Sequence, residues 1–149
     1  MNAIPVTQNT AVNPAHPDIN KVIAAYVVDR ALPSVTDQDA GRLTHLLIAF
    51  GHIVKGTVQV DHLQNLDCLP GIRRANPEIR ILLSIGGWGA GGFSEAAASE
   101  SGRRQVASSA VEEMVKLGLD GLDLDWEYPC YAEAGITASP ADKKHFTKL

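Results

Sequence analysis

Residues 118–126 read Gly-Leu-Asp-Gly-Leu-Asp-Leu-Asp-Trp and run into Glu127. Leu122, Leu124 and Trp126 alternate there with Asp123, Asp125 and Glu127. A period of two is that of a strand, in which residues two apart share a face. One face is apolar, and the other carries three carboxyls at steps of roughly 6.6–7 Å. Upstream lie three short, nearly continuous apolar runs: KVIAAYVV at 21–28, THLLIAF at 44–50 and IRILLSI at 79–85. Such runs mark strands covered on both faces in a parallel sheet. The four onsets are 23, 35 and 39 residues apart, enough for a crossover helix each time.

The clearest helix precedes the fourth strand. Ser99 or Ser101 offers an N-cap, and Val106, Ala110, Met114 and Leu117 form one apolar face. Glu112 and Lys116 are spaced i,i+4, and Gly118 supplies a C-terminal stop. A short helix is expected from Pro70 to Asn76 and another around Asp37–Arg42. Near the end, Ser139 reads as an N-cap with Pro140 at the first helical position.

Repeated strand–helix units make an α/β fold, either a doubly wound sheet or part of a (β/α)8 TIM barrel. A whole barrel needs about 250 residues. This chain of 149 supplies four units, so on the barrel reading it holds strands 1–4 and their helices, the N-terminal half. Half a barrel leaves two strand edges unpaired, which favours self-association.

Residues 1–20, with Pro5, Pro14 and Pro17, read as a flexible lead-in to a domain at 21–149. They show neither the charged nor the apolar region of a secretion signal, so export would need a signal outside this chain. A net charge of −4 and a pI near 5.7 argue against nucleic acid or a membrane surface as partner. No apolar run approaches the roughly 20 residues of a membrane span. Cys68 and Cys130 show no metal-ligand spacing, and a disulfide between them stays open. The five histidines show neither HxH nor HxxxH spacing, and no metal or cofactor is expected.

Three carboxyls on one buried face repel one another if all are ionised, so at least one is expected to hold a proton at neutral pH. That is the state a general acid requires. The alternatives are a solvated strand face, which the apolar opposite face disfavours, and a divalent-metal site, which would want further ligands. A competing pattern, Gly87-Trp88-Gly89-Ala90-Gly91-Gly92, satisfies GxGxxG after a strand. No acid ends a strand about 20 residues further on, where Ala107 stands mid-helix, and Trp88 is bulky for a phosphate loop.

The run DGLDLDWEYP at 120–129 resembles the DxxDxDxE signature of the family 18 glycoside hydrolases, the chitinase family. Thirty-six positions upstream, Ser84-Ile85-Gly86-Gly87 matches that family's SxGG signature, which ends its third barrel strand. The resemblance covers residues 21 to about 149. It implies a glycosidase acting on β-1,4-linked N-acetylglucosamine chains such as chitin, with retention through the substrate's own acetamido group. It also implies secretion or a periplasmic location.

Carried over by position, Glu127 matches the catalytic acid and Asp125 the aspartate that orients the N-acetyl group and steadies the oxazolinium. Asp123 matches the partner sharing a proton with Asp125, and Ser84 the serine beside that pair. Gly86, Gly87, Asp120 and Gly121 are expected to be structural. Tyr26 resembles a tyrosine found on the family's first strand near the catalytic aspartates and, with Trp88 and Tyr128, is expected to meet substrate. Six of the eight aromatics fall at or beyond the C-terminal ends of strands, the face where barrels place their sites. Of these, Phe50 and Phe93 are expected to pack, and Trp126 to face the helices. The family's tyrosine on strand six and tryptophan on strand eight have no counterpart here. Two further readings therefore stand beside the enzyme: a non-hydrolytic chitin-binding protein and an inactive fragment.

Overall fold

A computed structural model describes residues 21–149; the expected lead-in at 1–20 lies outside the described residues. Strands β1 (Ala24–Val28), β2 (His45–Val54), β4 (Arg80–Gly86) and β5 (Gly121–Asp125) form a parallel sheet in that order. Helices α1 (Asp37–Arg42), α2 (Leu69–Ala75) and α4 (Glu100–Lys116) lie in the three crossovers. The outward residues Leu46, Ile48, Ile81, Leu83 and Ile85 are fully buried, in one cluster with Ala40, Ile72, Val106 and Ala110. Each such Leu or Ile contributes about 1.5–3 kcal/mol by leaving water.

The other face is less covered. Tyr26 points there from β1 and is 55% exposed, so the strands are sheathed by helices on one side and half open on the other. That departs from the expectation of cover on both faces. The Phe50 ring lies beside Tyr26, 6.2 Å between centroids.

Local chemistry accounts for most helix ends. Thr36 caps α1 with a capping box closed by Asp39, and Asn76 ends α2. Ser99, not Ser101, caps α4 by accepting from Gly102 N at 3.0 Å, and Gly118 stops it at φ +64°. Lys116 pairs with Glu113 at 3.0 Å rather than with Glu112, whose carboxyl accepts from Ser108 Oγ instead.

Two elements were not anticipated. β2 runs four residues past Phe50 and turns through Lys55 and Gly56, both at positive φ, into β3 (Thr57–Gln59). Ser109 of α4 ties this hairpin down by accepting from Val58 N. A short α3 (Phe93–Ala97) follows the glycine-rich turn, too short to be the helix of a dinucleotide site. The last helix, α5 (Asp142–Phe146), begins two residues later than Pro140. The Asp142 carboxyl takes the Ser139 N–H at 2.7 Å and folds Ser139–Ala141 into a turn before the helix.

Asp120 sets the start of β5 against β4. Its Oδ2 accepts from Ile81 N at 2.7 Å and lies 2.9 Å from Arg73 Nη2, while its own N–H donates to Ile81 O. Burial alone would raise this carboxyl, but the Ile81 bond and the Arg73 guanidinium outweigh it and hold it below the usual range. A depressed carboxyl stabilises the fold above its unfolded value and loses that contribution as pH falls through the folded one. Asp120→Asn is expected to cost about 2 kcal/mol at pH 7 and progressively less below pH ~4, read by urea unfolding at both pH values. An equal cost at pH 7 and pH 3 would contradict this electrostatic role.

Candidate active site

The site forms where β1, β4 and β5 end. Pairing of β4 with β5 sets Ser84 opposite Asp123 and Gly86 opposite Asp125. Asp123 Oδ2 receives two hydroxyls, Ser84 Oγ at 2.7 Å and Tyr26 Oη at 3.0 Å. Tyr26 reaches Asp123 across the inner face from β1, two strands away from β4. Burial, the hydrogen bond to Asp123 and the charges of Asp123 and Asp125 push the Tyr26 hydroxyl up to about 12, so it stays a donor at any physiological pH. Tyr26 was expected near the aspartates, and its hydroxyl is given to one of them.

Asp125 lies one step along the same face. Burial raises its carboxyl, and Glu127 and Asp123 raise it further. At least one carboxyl of the row was expected to hold a proton, and Asp125 is pushed that way. The native chain binds that proton more readily than the unfolded chain, so stability falls as pH rises through the window between the two values. Asp125→Asn is therefore expected to unfold on the order of 1 kcal/mol later than the parent at pH 7 and alongside it at pH 3. Matched urea titrations read this directly, and a variant less stable at pH 7 would refute it.

Glu127 follows just beyond β5. Its carboxyl also pushes up the neighbouring Tyr128 hydroxyl, by its attraction for the phenolic proton and by its charge. Trp126 faces away from the carboxyls, as alternation requires. It is buried between Phe93, stacked at 5.2 Å, and Phe146, edge-on at 5.4 Å.

Gly86 and Gly87 bring the two strand ends together. Both adopt positive φ, and Gly87 N donates to Asp125 O at 2.9 Å. A Cβ on Gly87 would press on the Phe50 ring at 2.9 Å. Gly121 has no such requirement; its Cβ would meet Leu82 at an ordinary 3.4 Å.

The turn after Gly87 lifts Trp88 into solvent, 62% exposed, with its ring edge-on to Tyr128 at 6.1 Å. Beside it runs a groove of about 350 Å³ lined by His52, Ile53, Trp88 and residues 89–91. His52 stacks on His62 at 4.6 Å, and His62 Nε2 donates to Phe50 O at 2.8 Å. Burial and the second imidazole lower His52, which keeps it neutral at pH 7. This pair was invisible as a spacing, because its members sit on opposite sides of the β2–β3 hairpin. Cys68 and Cys130 are both free thiols. Among the described residues no group of three or more His, Cys, Asp or Glu is placed to hold a metal ion, and no helix is long and apolar enough to cross a membrane.

A barrel-type sheet whose strand ends converge two hydroxyls and three carboxyls on one face fits a class of acid–base glycosidases. The sequence model of Glycosyl hydrolases family 18 matches residues 22–149, and the chain belongs to that family. It is similar to chitotriosidase-1 of Mus musculus, 34% identical over 118 residues, which are 76% of this chain and 25% of that protein. Chitinase A1 of Niallia circulans is 38% identical over 87 residues, 57% of this chain and 12% of that protein. Among solved structures, a family 18 N-acetylglucosaminidase from Paenibacillus barengoltzii superposes with a TM-score of 0.82 at 58% identity, over 85% of this chain and 38% of that one. The chitinase domain of the spore coat protein CotE from Clostridium difficile gives 0.79 at 34% identity, over 97% and 40%. The fold is that of the family's TIM barrel, of which this chain covers a part. It spans a quarter or less of these two curated relatives and about two-fifths of the two solved chains.

Proposed function

We propose that this chain carries the proton-donating part of a glycosidase site that hydrolyses β-1,4-linked N-acetylglucosamine chains with retention of configuration. The observation that carries the reading is the row Asp123, Asp125, Glu127 on one face, with Asp123 taking two hydroxyls and Asp125 pushed up. In this reading Glu127 gives its proton to the glycosidic oxygen as that bond breaks. The substrate's acetamido oxygen meanwhile attacks the anomeric carbon from the other side, so no enzyme nucleophile is needed. Asp125, protonated, holds the acetamido group in place, and Asp123 orients Asp125. Glu127, now a carboxylate, takes a proton from the water that opens the oxazolinium. Trp88 and Tyr128 offer exposed aromatic faces to sugar rings.

The test is incubation with N-acetylglucosamine hexamer, followed by mass spectrometry and by proton NMR of the first anomer formed. Slow release of shorter β-anomeric products is expected, with turnover well below about 1 per second because only part of the barrel is present. Binding of the hexamer without cleavage would replace this reading with that of a chitin-binding protein. A second reading, removal of single sugars, is supported by the 58% identity to an N-acetylglucosaminidase. Accumulation of monomer from the first minutes would select it over internal cleavage.

The open edges of β1 and β5 bear on the state of the chain in solution. Among the described residues, no strand pairs with the outer edge of β1 or β5, where Val28 and Leu124 are exposed. Parallel edges of this kind pair with other chains. Dimers or larger species are expected by size-exclusion chromatography with light scattering; a monodisperse monomer would refute the expectation.

A further inference from the structure

Asp142 is 0% exposed, an uncommon place for a carboxyl that the proposed chemistry does not use. Three donors converge on it. Ser94 Oγ of α3 donates to Oδ1 at 2.7 Å, and the backbone N–H groups of Ser139 and Cys130 donate to Oδ2 at 2.7 and 3.2 Å. The same two helices grip Trp126: Phe93, next to Ser94, stacks on the indole, and Phe146, one turn after Asp142, meets it edge-on. The chain leaving β5 is thus fastened twice, by the Trp126 side chain and by the Cys130 N–H. Glu127 and Tyr128 lie between the two fastenings.

We propose that Asp142 is a positioning residue for Glu127, holding the segment that follows β5 against α3 so that the Glu127 carboxyl stays over the Asp123–Asp125 row. A carboxyl suits this task because its two oxygens together accept from all three donors. An amide can keep both backbone donors on its oxygen and turn its N–H to Ser94 Oγ, a hydroxyl that also accepts, so the variant that releases the segment is one with no acceptor, Asp142→Ala. The proposal rests on the reading of Glu127 as proton donor. Its test reads the segment directly, so a failure here and a failure of the hydrolysis assay are separate results.

The chain has three tyrosines, Tyr26 on β1 and Tyr128 and Tyr131 on the held segment. Labelled with 3-fluorotyrosine, it gives three fluorine resonances that single Tyr→Phe changes assign. In Asp142→Ala the Tyr128 and Tyr131 resonances are expected to move or broaden while Tyr26 stays in place. The carbon-13 titration midpoint of the Glu127 carboxyl is expected to move with them. Ser94→Ala, which removes only the tie to α3, should shift the same two tyrosines less. If circular dichroism shows Asp142→Ala unfolded, Ser94→Ala decides alone. Unchanged Tyr128 and Glu127 signals in a folded variant would overturn the proposal. So would equal movement of all three tyrosines, the mark of general loosening.

Discussion

Glu127→Gln is expected to leave the fold standing and to lower hydrolysis of the N-acetylglucosamine hexamer to background, a loss of at least about 100-fold. The amide matches the carboxyl in shape but has no proton to give, so the leaving oxygen would depart as an alkoxide. The variant carries a second readout. Glu127 is one of the groups that raise Asp125, so removing its charge should lower the Asp125 value, seen by carbon-13 titration of the side-chain carboxyls. Hydrolysis within a few-fold of the parent would remove Glu127 from the chemistry. A fall in hydrolysis with no movement of Asp125 would mean that the two carboxyls do not interact.

Gly86→Ala is expected to be the most damaging small substitution in the chain. At φ +123° an added Cβ would lie 2.1 Å from Asp125 O and 3.2 Å from the Phe93 ring. The oxygen belongs to the backbone of β5, which cannot retreat without breaking the pairing of Gly86 with Asp125. Backbone strain and overpacking together cost about 3–5 kcal/mol, a large part of the stability of an ordinary domain. Urea unfolding should show a midpoint far below that of the parent at an unchanged slope. A midpoint equal to the parent's would show that β4 and β5 approach less closely than drawn here. Gly121→Ala is the control, since an added Cβ there meets only the Leu82 side chain at contact distance.

Much of the site was legible from local pattern. The alternation at 122–127 placed the three carboxyls on one face and Trp126 on the other because strand periodicity needs no knowledge of the rest of the chain. α4 was legible for the same reason, through its serine cap, its apolar stripe and its glycine stop. The partner of Lys116 was not, since Glu112 and Glu113 lie at equally usable spacings and side-chain direction chooses between them. The β2–β3 hairpin was missed because Lys-Gly is a weaker turn signal than Asn-Gly, although both residues adopt the positive φ that such a turn demands.

The sequence by itself determined the four parallel strands, the helices α1, α2 and α4 between them, the row of carboxyls and the family. Only the tertiary structure decided which groups complete the row. Tyr26 and Asp123 are 97 residues apart, and Ser94 and Asp142 are 48 apart. Their meetings depend on crossover path and strand register, which no local spacing encodes. Asp142 illustrates the difference. In the sequence it is one acidic residue near a helix start, as common on a surface as anywhere. Folded, it is a buried acceptor where three donors converge, because a carboxyl taken out of water must find protein donors instead.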